Sequence, residues 1–521
     1  MVRYAVLLAA LATLSLSAPA AAQRTLEFAP YAVPTEGAVA VTVRQGAPLE
    51  GAYAEVDRAS GGALQRAVKA AGFLGDRGVV LNLPGAGPFD QVMLVGVGSD
   101  APNPRLLEDV GGLVGQWGVL SAVPKIELLW PDAGVPAAGA HLALGATLGQ
   151  YTFRTYRNPK PGAPVLGQGA LVLRVADAEG SRRAWDQDWS AVAAGVRFSR
   201  DLVTEPANTI YPESFVERTR AAFAGVPNVS IEVLDVPAMQ KLGMGSLLAV
   251  GQGSNRPPRL LVVRYRGGAR DEAPVAFVGK GITFDSGGIS LKDAANMWRM
   301  KYDMTGAASV TGTVLALAKR GAKVNAIAVA ALAENMPSGT AGRPGDVVRT
   351  MSGKTYEVMS TDAEGRMVLV DAIWFVQERD RPRVVVDVAT LTGSQVTALG
   401  DEYAGLFSWD DALAGQLQAA GKASGEEVWR LPLHPSYAKD LESPIADLRN
   451  GGSTGGAGAS VGAFFIGSWI QEGVVWAHLD VASMAWREAP VLPTVPLGAT
   501  GYGVRLLDRY VRDHVEPAAA D

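Results

Sequence analysis

Short apolar runs alternate with helical patterns through the C-terminal part of the chain, and this alternation limits the fold to few classes. The apolar runs lie at residues 260–263, 275–278, 326–331 and 383–388, and the helical patterns at about 304–319 and 367–378. Alternating strands and helices predict a mainly parallel sheet that is covered by helices on both faces. Such open sheets place their functional sites at the strand ends.

The length of 521 residues predicts two domains, because it exceeds what one hydrophobic core normally serves. Residues 23–183 combine short apolar runs and helical patterns, which is typical of a small α/β domain. A helical pattern at residues 184–205 predicts a linker helix, and residues 206–515 form the larger domain. Gly96 and Gly98 follow an apolar run as in a partial dinucleotide-binding motif, but the third glycine is missing and a tight turn is favoured.

The first 22 residues read as a signal peptide. Arg3 supplies a positive charge, residues 4–16 are mostly apolar, and three alanines precede Gln23 at an A-x-A cleavage site. The apolar run is shorter than the about 20 residues that a membrane-spanning helix needs. We expect cleavage, export to a bacterial periplasm and no membrane attachment of the mature chain, with an uncleaved anchor as the alternative.

Four carboxylates lie in two short, glycine-containing segments of the larger domain. The segments are residues 280–303, KGITFDSGGISLKDAANMWRMKYD, and residues 362–366, DAEGR. If the fold gathers Asp285, Asp303, Asp362 and Glu364, their mutual repulsion requires a cation in a poorly solvated site. The sequence therefore predicts a divalent metal site.

The absence of cysteine excludes thiolate zinc sites, and four histidines without HExxH spacing make a histidine-rich site improbable. An oxygen-rich site remains, which suits Mg²⁺, Mn²⁺ or Zn²⁺ in a two-metal arrangement. Paired dications activate water for hydrolysis, so a hydrolase is expected. A net charge of −5, without a basic run between aromatic residues, gives no indication of nucleic-acid binding.

At these segments the chain resembles the leucyl aminopeptidase family of dinuclear metallopeptidases. The family motif NTDAEGR stands here as STDAEGR at residues 360–366, followed by an apolar helix. The resemblance also includes VGKGITFDSGGISLK from Val278, MKYDMTGAA from Met300, ENMPSGTAGRPGDVV from Glu334, DVATLTG from Asp387 and WAHLDVA from Trp476. Ser360 and Thr305 depart from the usual family residues, but neither replaces a ligand.

This resemblance implies one metal held by Asp285, Asp362 and Glu364. A second metal would be held by Lys280, Asp285, Asp303 and Glu364, so that Asp285 and Glu364 bridge. Mn²⁺ and Zn²⁺ are the expected ions. A lysine ligand must be a neutral amine, which only the field of two dications can produce.

The resemblance also implies the catalytic groups and the quaternary structure. Lys292 would polarise the scissile carbonyl as a metal-bridging water attacks it, and Arg366 would hold a bicarbonate that acts as general base. The peptide's free N-terminal amine would bind the metal next to the lysine ligand. Family members commonly form hexamers, so a homo-hexamer is expected.

Substrate contacts are implied at small or apolar positions, which favours leucine and other hydrophobic first residues. One methylene changes binding by only about 1–3 kcal/mol, so broad specificity is expected. The implied contact residues are Met300, Thr390, Leu391, Gly393 and Ala482.

Each site residue also has a simpler interpretation. Asp362 and Glu364 could merely cap the helix that follows them. Lys280, Lys292 and Asp303 could be solvated surface charges. The residues match the family spacing in two separate segments, which favours the metal-site interpretation.

The sequence also offers two other functions. GGSTG at residues 451–455 matches the nucleophile elbow of serine hydrolases, with Ser453 as nucleophile and His478 or His514 as base. The sequence around the motif does not fit a nucleophile elbow, because no buried strand precedes it and a flexible glycine-rich stretch follows. A non-enzymatic binding or structural relative is the third possibility, although the intact ligand set favours an enzyme.

Overall fold

Two large sheets organise the chain. The computed structural model describes residues 23–46, 49–158, 161–162, 164–489 and 491–517. The predicted signal peptide at residues 1–22 lies outside these residues. Within the described part of the chain, no helix is both long enough and apolar enough to cross a bilayer.

The N-terminal unit contains a six-stranded sheet in the order β1-β6-β5-β2-β4-β3, parallel except for the edge strand β3. Gly96 ends β4, and Gly98 lies in the turn toward α3 with φ +71°, as the tight-turn interpretation predicts. The elements of this unit are β1 (Thr25–Pro30), β2 (Gly37–Val43), α1 (Gly51–Ala59), α2 (Ala63–Ala71), β3 (Val80–Ala86), β4 (Phe89–Gly96), α3 (Pro104–Leu120), β5 (Lys125–Trp130), α4 (Ala138–Gly149), β6 (Ala170–Val175) and α5 (Ala178–Ala184).

A continuous helical stretch joins the two units. It consists of α5, a π-helical turn at Trp185–Trp189 and α6 (Ser190–Thr204), so it begins before residue 184. Contacts between the units include a buried ion pair between Glu108 on α3 and Arg505. Gln116 on α3 also donates to the Leu492 carbonyl oxygen at 2.6 Å.

The C-terminal unit contains an eight-stranded sheet in the order β15-β14-β17-β13-β9-β10-β8-β7. Its elements are α7 (Pro212–Ala222), β7 (Val229–Leu234), α8 (Val236–Lys241), α9 (Gly245–Gly251), β8 (Arg259–Arg266), β9 (Val275–Asp285), α10 (Ala294–Met297), a 3₁₀ helix (Trp298–Met304), α11 (Thr305–Lys319), β10 (Asn325–Asn335), β11 (Val347–Arg349), β12 (Thr355–Glu357), α12 (Glu364–Asp380), β13 (Val384–Ala389), α13 (Gly393–Leu399), β14 (Ala404–Phe407), α14 (Asp411–Ser424), β15 (Val428–Arg430), α15 (Tyr437–Asp440), β16 (Leu448–Arg449), α16 (Gly458–Gly467), β17 (Val475–Asp480), β18 (Trp486–Arg487), β19 (Gly498–Ala499) and α17 (Val504–His514).

The four central strands β17, β13, β9 and β10 are parallel, whereas β8 and β7 are antiparallel additions at one edge. One face of the sheet packs against α11, α14 and α17, and the other against α9, α12 and α16. Strands buried on both faces read as continuous apolar runs, as β9 and β10 do. The predicted two-unit α/β fold with a mainly parallel sheet is confirmed.

Candidate metal centre

Three buried carboxylates meet at the carboxyl end of β9. Asp285 is the last residue of β9, Asp303 lies in the 3₁₀ helix before α11, and Glu364 is the first residue of α12. One oxygen atom from each carboxylate lies within 4.8 Å of the others. Asp362 is not part of this trio, but it joins the site through Lys292.

Two lysines link the carboxylates. Lys280 Nζ lies 2.8 Å from Asp303 Oδ2 and 2.8 Å from Glu364 Oε1. Lys292 Nζ lies 2.8 Å from Asp285 Oδ2 and 2.5 Å from Asp362 Oδ1. The structure therefore brings together all four acidic residues and both lysines that the sequence singled out. Lys280 and Asp303 are buried, so they are not solvated surface charges.

Two glycines make this approach geometrically feasible. A Cβ on Gly365 would lie 2.7 Å from Lys280 Cδ, so a larger residue there would displace the lysine side chain from its place beside the first turn of α12. Gly287 has φ +86°, and a Cβ there would lie 2.4 Å from the Ser290 carbonyl oxygen. These glycines allow the ligand segments to fold closely around the site.

Burial raises the pKa of Asp285 and Asp303, whereas the pKa of Glu364 is lowered because Lys280 and Lys292 outweigh its burial. Burial, reinforced by Glu364 and Asp303, raises the pKa of Asp285 well above its ordinary value. Burial also raises the pKa of Asp303 to about 6, against the attraction of Lys280. Burial lowers the pKa of Lys280, but the surrounding carboxylates outweigh it and the net pKa is raised. The protein groups alone thus favour a charged Lys280, and a neutral amine would require added positive charge.

The donor set fits divalent cations. Four carboxylates face two lysine ammonium groups, which leaves an excess of negative charge in a buried site. Among the described residues, Glu364 Oε2 is buried and has no hydrogen-bond partner, whereas Asp303 Oδ2 forms an ion pair with Lys280 Nζ at 2.8 Å. Buried polar atoms without partners are rare in native structures, so the Glu364 oxygen is available as a ligand.

Arg366 is the third residue of α12, two residues after Glu364. Its Nη1 donates to the Asn450 carbonyl oxygen at 2.7 Å, while its buried Nε has no hydrogen-bond partner among the described residues. Burial lowers the pKa of Arg366 against the attraction of Glu364 and Asp480. A guanidinium with a free N–H can donate a further hydrogen bond to the oxygen of a bound anion.

One of the predicted substrate contacts, Thr390, touches the carboxylates directly. Thr390 is buried and donates from Oγ1 to Asp303 Oδ1 at 2.7 Å, and its carbonyl oxygen accepts from Lys280 Nζ at 2.8 Å. In this structure it therefore holds the acidic and basic groups of the site. Met300 precedes Asp303 by one 3₁₀ turn, and Gly393 is the exposed first residue of α13.

Asp480, at the end of β17, connects the other predicted contact residues. Its Oδ1 accepts from the backbone N–H of Leu391 at 3.0 Å and of Ala482 at 3.3 Å. Its Oδ2 accepts from Thr392 Oγ1 at 2.7 Å. The buried carboxylate thus joins the loop after β13 to the loop after β17.

Sequence reasoning missed Asp480 and two further residues of the site, Asn335 and Thr361. All three lie inside segments that resemble the family. Asn and Thr are not typical metal ligands, and Asp480 lies outside the two segments that carry the four grouped carboxylates. Asn335 Nδ2 donates to Asp285 Oδ1 at 2.8 Å and to the Thr361 carbonyl oxygen at 3.0 Å. Asn335 and Asp480 are the last residues of β10 and β17, and this position at a strand end is the sequence feature that could have identified them as site residues.

The serine-hydrolase geometry is not present at Ser453. Its Oγ donates to Asp440 Oδ1 at 3.2 Å, and the preceding strand β16 has only two residues. His478 is fully buried in β17, where its Nδ1 lies 2.5 Å from Asp387 Oδ1 and its Nε2 has no partner among the described residues. His478 is therefore a core residue with one paired ring nitrogen, and it does not contact Ser453.

Family models match most of the chain. The model for the catalytic domain of the cytosol aminopeptidase family matches residues 197–508, and the model for the N-terminal domain of that family matches residues 38–160. The chain belongs to the cytosol aminopeptidase family. The resemblance to leucyl aminopeptidases is thereby confirmed.

Relatives of this aminopeptidase align over nearly their full length. A probable cytosol aminopeptidase from Caulobacter vibrioides is 46% identical over 484 residues, which cover 92% of this chain and 97% of the relative. A probable cytosol aminopeptidase from Gluconobacter oxydans is 45% identical, with 89% and 93% covered.

Solved structures agree with the fold. A mutant of tomato leucine aminopeptidase has a TM-score of 0.83 at 30% identity, covering 95% of this chain and 97% of that chain. The bottromycin maturation enzyme BotP in complex with Mn has a TM-score of 0.79 at 34% identity, covering 91% and 98%. The protein is thus a metal-dependent aminopeptidase, as predicted.

Proposed function

We propose that this aminopeptidase removes leucine and other hydrophobic N-terminal residues from peptides, with broad specificity, using two Mn²⁺ or Zn²⁺ ions. The buried trio Asp285, Asp303 and Glu364, linked by Lys280, is the observation that supports this most strongly. The Mn-bound state of the structurally similar BotP is consistent with such ions.

The proposed ligands divide between two ions as the resemblance implies. Asp285, Asp362 and Glu364 would hold one, and Lys280, Asp303 and the two shared carboxylates Asp285 and Glu364 would hold the other. When bound, paired dications lower the pKa of the attacking water and neutralise charge in the transition state.

Lys292 is the proposed electrophilic residue. Its side chain is 23% exposed, in contrast to the buried Lys280, so it can reach both the carboxylates and a peptide at the site. An ammonium aimed at the scissile carbonyl would stabilise the developing oxyanion. Arg366, with its free Nε, would hold bicarbonate as general base.

Selectivity for the chain terminus would come from the free amine of the substrate. Thr390, Leu391 and Gly393 on one loop and Ala482 on the next would shape the first subsite together with Met300. Asp480 joins the two loops, which keeps these contacts in a defined arrangement.

Hydrolysis of leucine p-nitroanilide tests the proposal. We expect protein stripped of metal to be inactive, and activity to return with Mn²⁺ or Zn²⁺ and to be insensitive to a serine-directed inhibitor. N-acetyl-leucine p-nitroanilide should not be hydrolysed, because its blocked amine cannot bind as proposed. Metal-independent or serine-inhibited hydrolysis would favour Ser453 instead, and inactivity under every metal would favour a binding protein.

We also propose that residues 1–22 are removed on export to the periplasm and that the mature chain is a homo-hexamer. The composition of residues 1–22 and the family resemblance support these proposals. Mass spectrometry of protein from bacterial periplasm should give a chain that begins at Gln23, and light scattering should give six times its mass. An intact N-terminus in the cytosolic fraction would contradict export, and a smaller assembly would contradict the hexamer.

A further inference from the structure

The last residue of β10 touches both segments that supply the proposed ligands. Asn335 is 4% exposed. Its Nδ2 donates one hydrogen bond to Asp285 Oδ1 at 2.8 Å and another to the Thr361 carbonyl oxygen at 3.0 Å. Thr361 directly precedes Asp362, so one side-chain amide spans the two ligand segments.

A strand irregularity creates this contact. Ala333 pairs with Ile282, but Glu334 pairs with Phe284 and Asn335 with Asp285, because β9 has one extra residue at Thr283. Bulges of this kind re-aim side chains near functional sites. With uniform pairing Asn335 would lie beside Phe284, so the bulge is what aligns it with Asp285.

Further hydrogen bonds complete a clamp around Asp285. Gly287 N donates to the same Asp285 Oδ1 at 2.9 Å, which leaves Oδ2 facing Lys292. Thr361 Oγ1 donates to the Gly287 carbonyl oxygen at 2.6 Å and accepts from Ser290 N at 2.8 Å. The loop after β9 and the loop before α12 are thus held in one arrangement.

We propose that Asn335 is a positioning residue that orients Asp285 and sets its alignment with Asp362, and so determines metal affinity. The amide can donate both hydrogens without adding charge, whereas a carboxylate there would repel Asp285. Groups that orient metal ligands commonly change metal affinity by about 10- to 100-fold when they are removed. This inference rests on the proposed metal centre.

A matched control lies at the other end of the same strand. Asn325, the first residue of β10, is 8% exposed, and its Nδ2 donates to the carbonyl oxygens of Ala269 at 2.6 Å and Glu272 at 3.0 Å. The two asparagines are about 33 Å apart at about 3.3 Å per residue. Replacing Asn325 removes a similar pair of partly buried hydrogen bonds far from the carboxylates, together with the bond that its Oδ1 accepts from Gly268 N at 3.2 Å.

The experiment compares Asn335→Ala with Asn325→Ala. Mn²⁺ affinity is measured by competition with a chelator on metal-stripped protein, and stability by urea unfolding of the same samples. Both variants should lose stability, but only Asn335→Ala should bind Mn²⁺ about 10- to 100-fold more weakly. Asn335→Leu, which fills the same space without donors, should show the same loss of affinity and serves if the alanine variant does not fold.

Unchanged Mn²⁺ affinity in the folded Asn335 variants would overturn the inference. An equal loss in Asn325→Ala would do so as well, since it would indicate a general effect of destabilisation. If the unaltered protein binds neither Mn²⁺ nor Zn²⁺, the proposed metal centre itself is wrong and the inference falls with it. The unaltered protein therefore distinguishes the two failures.

Discussion

Glu364→Gln is expected to abolish both metal binding and peptide hydrolysis. Glu364 lies within reach of Asp285 and Asp303, its Oε1 contacts Lys280, and its buried Oε2 has no hydrogen-bond partner. The amide removes the negative charge and places N–H donors where a cation needs an oxygen. We expect the bound metal per chain after dialysis to fall by more than about 100-fold, and kcat/KM with leucine p-nitroanilide to fall equally. The loss should exceed the about 10- to 100-fold effect that is typical when a residue that only orients a ligand is removed.

Glu426→Gln is the matched control for this change. Glu426 is also buried, but its Oε2 accepts from the backbone N–H groups of Gly503 and Leu506 at 2.9 Å each, remote from the proposed ligands. We expect this variant to lose stability while it keeps its metal and its kcat/KM. Full metal content in Glu364→Gln would show that Glu364 is not a ligand.

Lys292→Ala should slow turnover and spare metal binding. Lys292 is the partly exposed lysine of the site, and its ammonium lies between Asp285 and Asp362. Its removal leaves these carboxylates without a countercharge, so their affinity for cations should not fall. Loss of one donor to a developing oxyanion costs about 10²- to 10³-fold in kcat, and we expect a decrease of that size.

Single-turnover kinetics and metal analysis on the same sample check this prediction. Lys354→Ala serves as the control, because Lys354 Nζ donates to the Ser468 carbonyl oxygen at 2.6 Å and contacts no carboxylate of the site. This control should retain normal kcat. Metal loss in Lys292→Ala would count against the role proposed for Lys292 and would assign it to ligand positioning.

The site differs from a surface acidic cluster in two ways. Its carboxylates Asp285, Asp303 and Glu364 are buried, and two lysines contact them. A buried charge is costly unless it is paired, so Lys280 needs its carboxylate partners in this poorly solvated position. Here the buried lysine touches two carboxylates at 2.8 Å each. This arrangement agrees with the family assignment as an enzyme.

Local sequence properties determined much of the fold. Continuous apolar runs predicted β9, β10 and β13, because strands buried on both faces need apolar residues throughout. Apolar periodicity similarly predicted α11 and α12. The edge strand β7 and its antiparallel pairing with β8 were not predicted, because strand order depends on contacts between distant segments.

For the site, the sequence by itself determined the residue types: the carboxylates of residues 285–303 and 362–366 that we propose as ligands, both lysines and the glycines between them. Only the tertiary structure decided which groups meet. In the folded chain Asp303 contacts Lys280, and Thr390 hydrogen-bonds to Asp303. Asp480 hydrogen-bonds to the loop after β13, and a bulge in β9 aligns Asn335 with Asp285. Residue type and spacing are local, whereas register and side-chain partners are set by packing across the sheet, which no single segment specifies.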